Sequence, residues 1–217
     1  MGWRSYLYPQ VVARYRSRHN RDIRVVEEQG KFKVLVNGSP QSGPYIEGLW
    51  RKVFRAFPIS EIRSPKSILV LGIAGGTAIT LLKTMVPNAR ITAVDIDKTM
   101  IMVGKRWFHL GDISGVTLVC DDAKKFVAHQ GKSGAKYNLI LVDIFQGRDI
   151  PEFIEKEEFW RDIKDLLVKD GVVILNYLRE KGYREKSNML LDKLRRIFHS
   201  VNTKEIFLNR FMVAREE

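Results

Sequence analysis

The stretch LVLGIAGGTAITLL, residues 69–82, runs from an apolar segment through a glycine turn into a segment with the spacing of a helix. The glycines of the turn, Gly72, Gly75 and Gly76, would let a ligand approach the backbone where a Cβ would collide. Their spacing differs from the G-x-G-x-x-G of dinucleotide sites. A tight strand-to-helix turn without a ligand has the same pattern, so the rest of the chain must decide between the two interpretations.

Short apolar runs and amphipathic stretches alternate from Ser67 onwards. The apolar runs are SILVLG, RITAVD, VTLVC, YNLILVD and VVILNYL. Strands that alternate with helices predict an α/β fold in which a doubly wound, mostly parallel, Rossmann-like sheet is covered on both faces. The tail KEIFLNRFMVARE predicts an antiparallel edge hairpin that turns at Asn209 and Arg210.

The first part of the chain has a different pattern. Residues 23–28 (IRVVEE) and 31–36 (KFKVLV) predict a small β-hairpin, and YIEGLWRKVFRAF has apolar residues at helical spacing. We therefore expect residues 1–60 to form a basic segment, a hairpin and a linking helix. We expect residues 61–217 to form the main Rossmann-like domain.

The net charge of +12 is concentrated at the ends of the chain. Lys and Arg outnumber Asp and Glu by 13 to 5 over residues 1–66, balance them at 11 each over 67–160, and outnumber them by 13 to 9 over 161–217. A clustered basic face attracts polyanions, so the ends could contact RNA, with a merely solvated surface as the alternative. The densest cluster is ARYRSRHNRDIR, residues 13–24.

Composition favours a soluble cytoplasmic protein with no membrane partner and no metal. No apolar run approaches the ~20 residues of a membrane helix, and the N-terminus lacks the apolar centre of a secretory signal. The single cysteine, Cys120, cannot form an internal disulfide. The four histidines are scattered, without the spacing of a metal site.

Acidic residues end successive predicted strands. Asp95 lies at the position after the glycine turn where a carboxylate typically binds ribose hydroxyls, and an acid in the run Cys120-Asp121-Asp122-Ala123 could accept a hydrogen bond from an adenine amino group. Asp122 also fits a helix N-cap. Asp143 is followed by no helix start for some ten residues, so capping explains it poorly. Because strand ends meet at one edge of the sheet, these carboxylates should share one rim.

Longer segments resemble the spermidine synthase-like family, the polyamine aminopropyltransferases with the class I AdoMet-dependent methyltransferase fold. The resemblance covers roughly residues 23–178 and is carried by ILVLGIAGGTAITLL, NARITAVDIDKTMIMVGKRWF, VCDDAKKFV and YNLILVDIFQGRDIPEFIEKEEFW. It implies a sulfonium nucleoside donor, a catalytic aspartate at Asp143, and a front hairpin that could supply a homodimer interface. The donor contacts that we expect from it are Gln41, Gly72, Ala74, Gly75, Gly76, Asp95, Ile96, Asp121, Asp122 and Ala123.

Departures from the family pattern bear on the reaction. The family's glycine loop GGGDGG carries an acid that pairs with the ammonium of decarboxylated AdoMet, where this chain has Ala74. A second family acid, in the pattern DSxDP, becomes Gln146, and an ungapped alignment replaces the Tyr-His/Gln-Glu segment by Trp50-Arg51-Lys52. Weaker candidates for acceptor contacts are Trp50, Phe145, Gln146 and Asp149.

We therefore expect Arg51 to pair with the carboxylate of intact AdoMet, with a place for Arg51 and Lys52 on the solvent-facing side of the helix as the alternative. We expect methyl transfer to a small-molecule amine or other nucleophile, with Asp143 as the orienting base. One alternative is a polyamine aminopropyltransferase (spermidine synthase) that uses decarboxylated AdoMet. A second alternative is a nucleoside-binding protein without catalysis.

Overall fold

Two β-sheets form the framework of the protein in a computed structural model, which describes residues 3–59, 62, 66–147, 149–180 and 182–216. The smaller sheet is antiparallel, with its strands in chain order. Its strands are β1 (Gln10–Tyr15), β2 (Ile23–Glu28), β3 (Lys31–Val36) and β4 (Ser39–Ser42). The predicted hairpin is confirmed as β2 and β3, and two further strands flank it.

The larger sheet has seven strands in the order β10-β11-β9-β8-β5-β6-β7. They are β5 (Ser67–Leu71), β6 (Arg90–Asp95), β7 (Val116–Cys120), β8 (Tyr137–Val142), β9 (Leu167–Leu178), β10 (Ser200–Ile206) and β11 (Asn209–Arg215). Strands β5 to β9 pair in parallel, and β10 and β11 add an antiparallel edge. The predicted α/β fold with a C-terminal edge hairpin is confirmed.

Helices cover both faces of the larger sheet. They are α1 (Pro44–Ala56), α2 (Thr77–Met85), α3 (Lys98–Phe108), α4 (Ala123–Ser133), α5 (Glu157–Asp165) and α6 (Arg184–Ile197). Ile68 and Val70 of β5 belong to the core cluster on one face, and Leu69 and Leu71 to that on the other. Burial on both faces explains why the central strands read as continuous apolar runs. No helix within the described ranges is long and apolar enough to cross a membrane.

Strand order reverses between β5 and β8. The chain runs outward from β5 through β6 to β7 and then returns to pair β8 with the other side of β5. The carboxyl ends of β5 and β8 therefore diverge into opposite connections, and a crevice forms above them. This is where the sequence places the glycine turn and Asp143.

One predicted turn lies at a different position in the structure, and one predicted domain boundary falls outside the described residues. The C-terminal hairpin turns at Phe207 and Leu208, two residues before the predicted position, with Phe207 in the left-handed region at φ 55°. The predicted division between residues 60 and 61 lies outside the described residues, so the two-unit organisation remains a prediction.

Candidate functional site

The glycine turn after β5 is held tightly against the end of β8. Gly72 N–H donates to Val94 O at 2.8 Å, and Asp143 N–H donates to Leu71 O at 2.8 Å. Gly72 has φ +93°, and a Cβ added there would lie 2.0 Å from the carbonyl oxygen of Asp143. Only glycine fits this crowded position, so the turn and Asp143 are fixed relative to each other.

Gly72→Ala should destabilise the protein far more than a positive φ alone requires. Gly38 also has a positive φ, +80°, but a Cβ added there would meet no atom within 4 Å beyond its chain neighbours. Gly38→Ala should therefore lower the free energy of unfolding by about 1–2 kcal/mol, the cost of left-handed backbone, and Gly72→Ala by several kcal/mol more, since β8 must move. Urea unfolding of both variants measures the difference, and equal losses would contradict the close approach.

Asp95 organises the turn from the end of the next strand. Its Oδ2 accepts hydrogen bonds from Ile73 N–H at 2.9 Å and Ala74 N–H at 3.3 Å, and its Oδ1 accepts from Asp97 N–H at 2.9 Å. Burial raises the pKa of Asp95, and these backbone donors oppose the rise. Because a carboxylate accepts about four hydrogen bonds, Oδ1 retains capacity for a ligand hydroxyl.

A cavity of about 340 Å³ opens above the turn, and we call it the first cavity. It contains most of the predicted donor and acceptor residues: Gln41, Gly72, Ala74, Asp95, Ile96, Asp122, Ala123, Asp143, Phe145 and Gln146. Further lining residues that the sequence did not indicate include His19, Asn20, Met100 and Phe153. The structure thus brings the three strand-end carboxylates together, while the role of each residue remains a prediction.

Several predicted residues lie outside the first cavity, namely Gly75, Gly76, Asp121, Trp50, Arg51 and Asp149. Gly75 lies behind the turn, where its N–H donates to Ser42 Oγ at 2.8 Å, and Gly76 packs against Leu110. The Asp121 carboxylate is exposed and accepts from Asp122 N–H at 2.8 Å. These positions shape the turn and the strand end from outside the cavity.

Arg51 lies on the exposed side of α1, which corrects its predicted placement beside the donor. Its Nη2 is 2.7 Å from Glu47 Oε1, one helical turn away, and its side chain is 58% exposed. It lines a separate groove with Lys31 and His109. Helix geometry explains the error, because the neighbouring buried face of α1 already comprises Leu49, Trp50, Val53 and Phe54.

Asp149 braces the loop after β8. The Tyr183 hydroxyl donates to Asp149 Oδ1 at 3.0 Å and lies 3.4 Å from Ile150 N–H, whose hydrogen bond it accepts. Gln146 and Asp149 also form an isolated β-bridge. The carboxylate therefore ties the loop to the segment before α6.

Asp143 stands between the first cavity and a second cavity of about 260 Å³. The second cavity is walled by Tyr45, Leu49, Trp50, Phe145, Asn176, Leu178, Glu180, Leu208 and Asn209, among others. Apart from the two cavities, protein encloses the Asp143 carboxyl. Burial raises the pKa of Asp143 to about 6, and hydrogen bonding from Asn176 opposes the rise. The indole nitrogen of Trp50 is buried and has no hydrogen-bond partner within the described residues.

Asn176 and Asn209 form a relay that orients the Asp143 carboxylate. Asn176 Nδ2 donates to Asp143 Oδ1 at 2.8 Å, and Asn209 Nδ2 donates to Asn176 Oδ1 at 2.8 Å. The second bond fixes the Asn176 amide with its NH₂ group towards the carboxylate. Sequence reasoning missed both residues, although a polar side chain inside the buried run VVILNYL was a signal, since buried amides need partners.

Asn176→Leu should raise the pKa of Asp143 above about 6, because the variant loses a donor that stabilises the ionised form. A ¹³C NMR titration of the aspartate carboxyls, with Asp143→Asn for assignment, measures this shift without needing a substrate. Asn202→Leu, on the exposed edge strand β10, serves as the control and should leave the titration unchanged. A lowered or unchanged pKa in Asn176→Leu would contradict the relay.

Within the described residues, no group of three or more His, Cys, Asp or Glu side chains is arranged to hold a metal ion. The carboxylates of the first cavity instead meet backbone amides, the asparagine relay and open cavity. The arrangement suits recognition of hydroxyl and amino groups, with one base at the boundary between two compartments.

Two curated relatives carry different transferase names. The chain is 31% identical to a polyamine aminopropyltransferase of Vibrio vulnificus strain CMCP6 over 112 residues, covering 52% of this chain and 38% of that protein. It is 28% identical to an eEF1A lysine and N-terminal methyltransferase homolog of Drosophila melanogaster over 144 residues, covering 63% of this chain and 21% of that protein. The chain thus spans well under half of the length of either relative.

Solved structures confirm the fold. A probable spermidine synthase from Corynebacterium glutamicum superposes with a TM-score of 0.80 at 18% identity, covering 95% of this chain and 80% of that one. The Spermine/spermidine synthase domain matches residues 50–209, which include the turn, all three strand-end carboxylates and the asparagine relay. On this match, and with this fold, the chain belongs to the spermine/spermidine synthase family, whose named relatives here are transferases.

Proposed function

We propose that the protein transfers a methyl group from AdoMet to an amine acceptor. The donor would occupy the first cavity and the acceptor the second, with Asp143 between them. The volumes of about 340 and 260 Å³ suit a nucleoside and a small or side-chain amine. The sequence expectations for Gln41, Ile96 and Ala123 as donor contacts carry over, since all three line the first cavity.

The donor's nucleoside part would be held by carboxylates at two strand ends. The free capacity of Asp95 Oδ1 suits a ribose hydroxyl, and Asp122 suits an adenine amino group. Asp122 also caps α4, because its Oδ1 accepts from Lys125 N–H at 3.1 Å. Capping and ligand binding are compatible, since the second carboxylate oxygen remains available.

Methyl transfer is favoured over aminopropyl transfer because the glycine turn has no acidic residue. The described carboxylates that line the first cavity are those of Asp95, Asp122 and Asp143. Asp95 binds backbone amides and, in this proposal, the ribose, and Asp122 lies at the end of a different strand. With Ala74 in the turn, an aminopropyl ammonium would have to pair with Asp143, the group that the acceptor amine needs.

For the transfer itself, the protein has to position the donor and the acceptor and to supply one base. The lone pair of the acceptor nitrogen attacks the methyl carbon, the carbon–sulfur bond breaks, and its electrons remain on sulfur to give S-adenosylhomocysteine. The proton lost from nitrogen goes to Asp143, whose pKa of about 6 leaves it ionised at neutral pH yet more basic than an ordinary aspartate. Asn176 holds Oδ1, so Oδ2 is left to receive that proton.

Aminopropyl transfer from decarboxylated AdoMet is the second candidate. The family match and the Vibrio relative favour it, and Glu180 adds a second carboxylate to the acceptor cavity, as a diamine would require. In this candidate Glu180 would pair with the diamine, in place of the family acid at the position where this chain has Gln146.

Product mass distinguishes the two candidates. The purified protein is incubated with AdoMet or with decarboxylated AdoMet, each with a panel of diamines, monoamines and lysine peptides. Methylated acceptor together with S-adenosylhomocysteine is the expected result. An acceptor heavier by an aminopropyl group, together with methylthioadenosine, would establish the second candidate and overturn the first.

A further inference from the structure

An arginine row follows the outer edge of the smaller sheet. Strand β1 is the edge strand, and from Ala13 onwards its residues alternate between packing on the core and facing solvent. Arg14, Arg16 and Arg18 are exposed on this edge and on the connection that follows it. Extended chain rises about 3.3 Å per residue, so Arg14 and Arg16 are roughly 6.6 Å apart, and Arg18 follows in the turn that Ser17 N–H closes with Asn20 O. With Arg21 they form what we call the basic strip.

The basic strip is not neutralised by its neighbours. Among the described residues, no carboxylate forms an ion pair with Arg14, Arg16 or Arg21. The nearby acids are engaged elsewhere, as Asp22 pairs with Arg24 at 2.6 Å. Arg14 also lies directly opposite Arg24 in the β1–β2 register. Because Arg24 is paired with Asp22, the excess positive charge at this position is that of Arg14, which a bound polyanion would neutralise.

Aromatic side chains extend the strip at its other end. Trp3, Tyr6 and Tyr8 are 71%, 66% and 53% exposed, just before β1 begins. The segment is anchored to the sheet, because Gln29 N–H donates to Ser5 O at 2.8 Å. Exposed rings at one end of an edge strand and arginines at the other provide stacking platforms for unpaired bases and contacts for phosphates along one extended path.

We propose that the basic strip and these aromatic residues bind single-stranded RNA. Arginines spaced along an edge strand and the connection after it can follow a flexible phosphate backbone, and rings stack only on bases that are not already paired, which favours a single strand over a duplex. His19 and Asn20, which lie between Arg18 and Arg21 of the strip, line the first cavity, so the RNA would lie beside the proposed donor site. This inference does not depend on which group the protein transfers.

Fluorescence anisotropy with a labelled single-stranded oligouridylate and a duplex RNA of equal length tests the proposal. Binding to the single strand should be tighter and should weaken steeply between low and physiological salt. Replacing Arg14, Arg16 and Arg21 by Ala should weaken it roughly tenfold or more and reduce the salt slope by about 2, as expected for three lost contacts to a single strand. Replacing Trp3 and Tyr8 by Ala should weaken single-strand binding while leaving the salt slope nearly unchanged.

A matched control removes the same charge elsewhere, by replacing the exposed Lys125, Lys132 and Lys169 with Ala. Its affinity should change by less than about threefold if the site is local. No binding at low salt, equal losses in the two triple variants, or tighter binding to polyglutamate or anionic vesicles than to RNA would overturn the proposal. A change of sedimentation in the arginine variant, with unchanged RNA affinity, would assign the strip to a second copy of the chain instead.

Discussion

Asp143→Asn should lower the rate of methyl transfer by roughly 10²- to 10⁴-fold, the usual contribution of a positioned base. The amide keeps the size of the side chain and can still accept from Asn176, so the affinity for AdoMet should change by less than about threefold. Release of S-adenosylhomocysteine measures the rate, and calorimetry measures the affinity. Unchanged turnover would show that Asp143 is not the base.

The same substitution should stabilise the protein at neutral pH. The pKa of Asp143 is raised from its ordinary 3.8 to about 6, so the folded state binds the proton more tightly than the unfolded state. Stability therefore falls as pH rises from about 4 to about 6, and above that window the buried carboxylate costs up to about 3 kcal/mol. Asp143→Asn should gain stability at pH 7.5 and little at pH 4. A loss at pH 7.5 would contradict the burial of the charge.

Asp95→Asn should weaken AdoMet binding by roughly 100-fold, which corresponds to losing one or two charge-assisted hydrogen bonds. An amide has one acceptor oxygen, so it cannot serve the N–H groups of Ile73 and Ala74 together with that of Asp97 and a ribose hydroxyl. Calorimetric titration with AdoMet measures the loss.

Asp121→Asn is the matched control for this prediction. Asp121 follows the neighbouring strand, carries the same charge and was also expected from the sequence to contact the donor, but its side chain is exposed and outside the first cavity. The AdoMet affinity of this variant should change by less than about threefold, because the charge that it loses lies outside the first cavity and is screened by solvent. Equal losses in the two variants would mean that the cavity has been assigned to the wrong carboxylates.

The main sheet and its acidic rim could be predicted from the sequence because both follow from simple regularities. Central strands buried on both faces are continuous apolar runs, and parallel strands bring their carboxyl ends to one edge. Strand β1 was not predicted because Arg14 and the arginines that follow the strand make a half-buried edge strand look like a basic segment. Strand β4 contains Pro40, which marks an edge position and masks a four-residue strand.

The site was only partly readable for a different reason. Asp95, Asp122 and Asp143 lie at or just after strand ends, which the apolar runs locate, so the sequence indicated them. Hydrogen bonds between side chains on different strands depend instead on the register between strands that are distant in the chain. Asn209 reaches Asn176 because β11 pairs with β9, a pairing that no local pattern reports. The predicted contact of Arg51 with the donor was wrong, although the spacing of the apolar residues in α1 indicated that Arg51 faces solvent.

A crystal structure of the protein with S-adenosylhomocysteine tests the proposed site most directly. We expect the ribose at Asp95, the adenine near Asp122, and the sulfur at the boundary of the two cavities beside Asp143. S-adenosylhomocysteine in the groove beside Arg51 and His109, or with its sulfur turned away from Asp143, would contradict the proposed site.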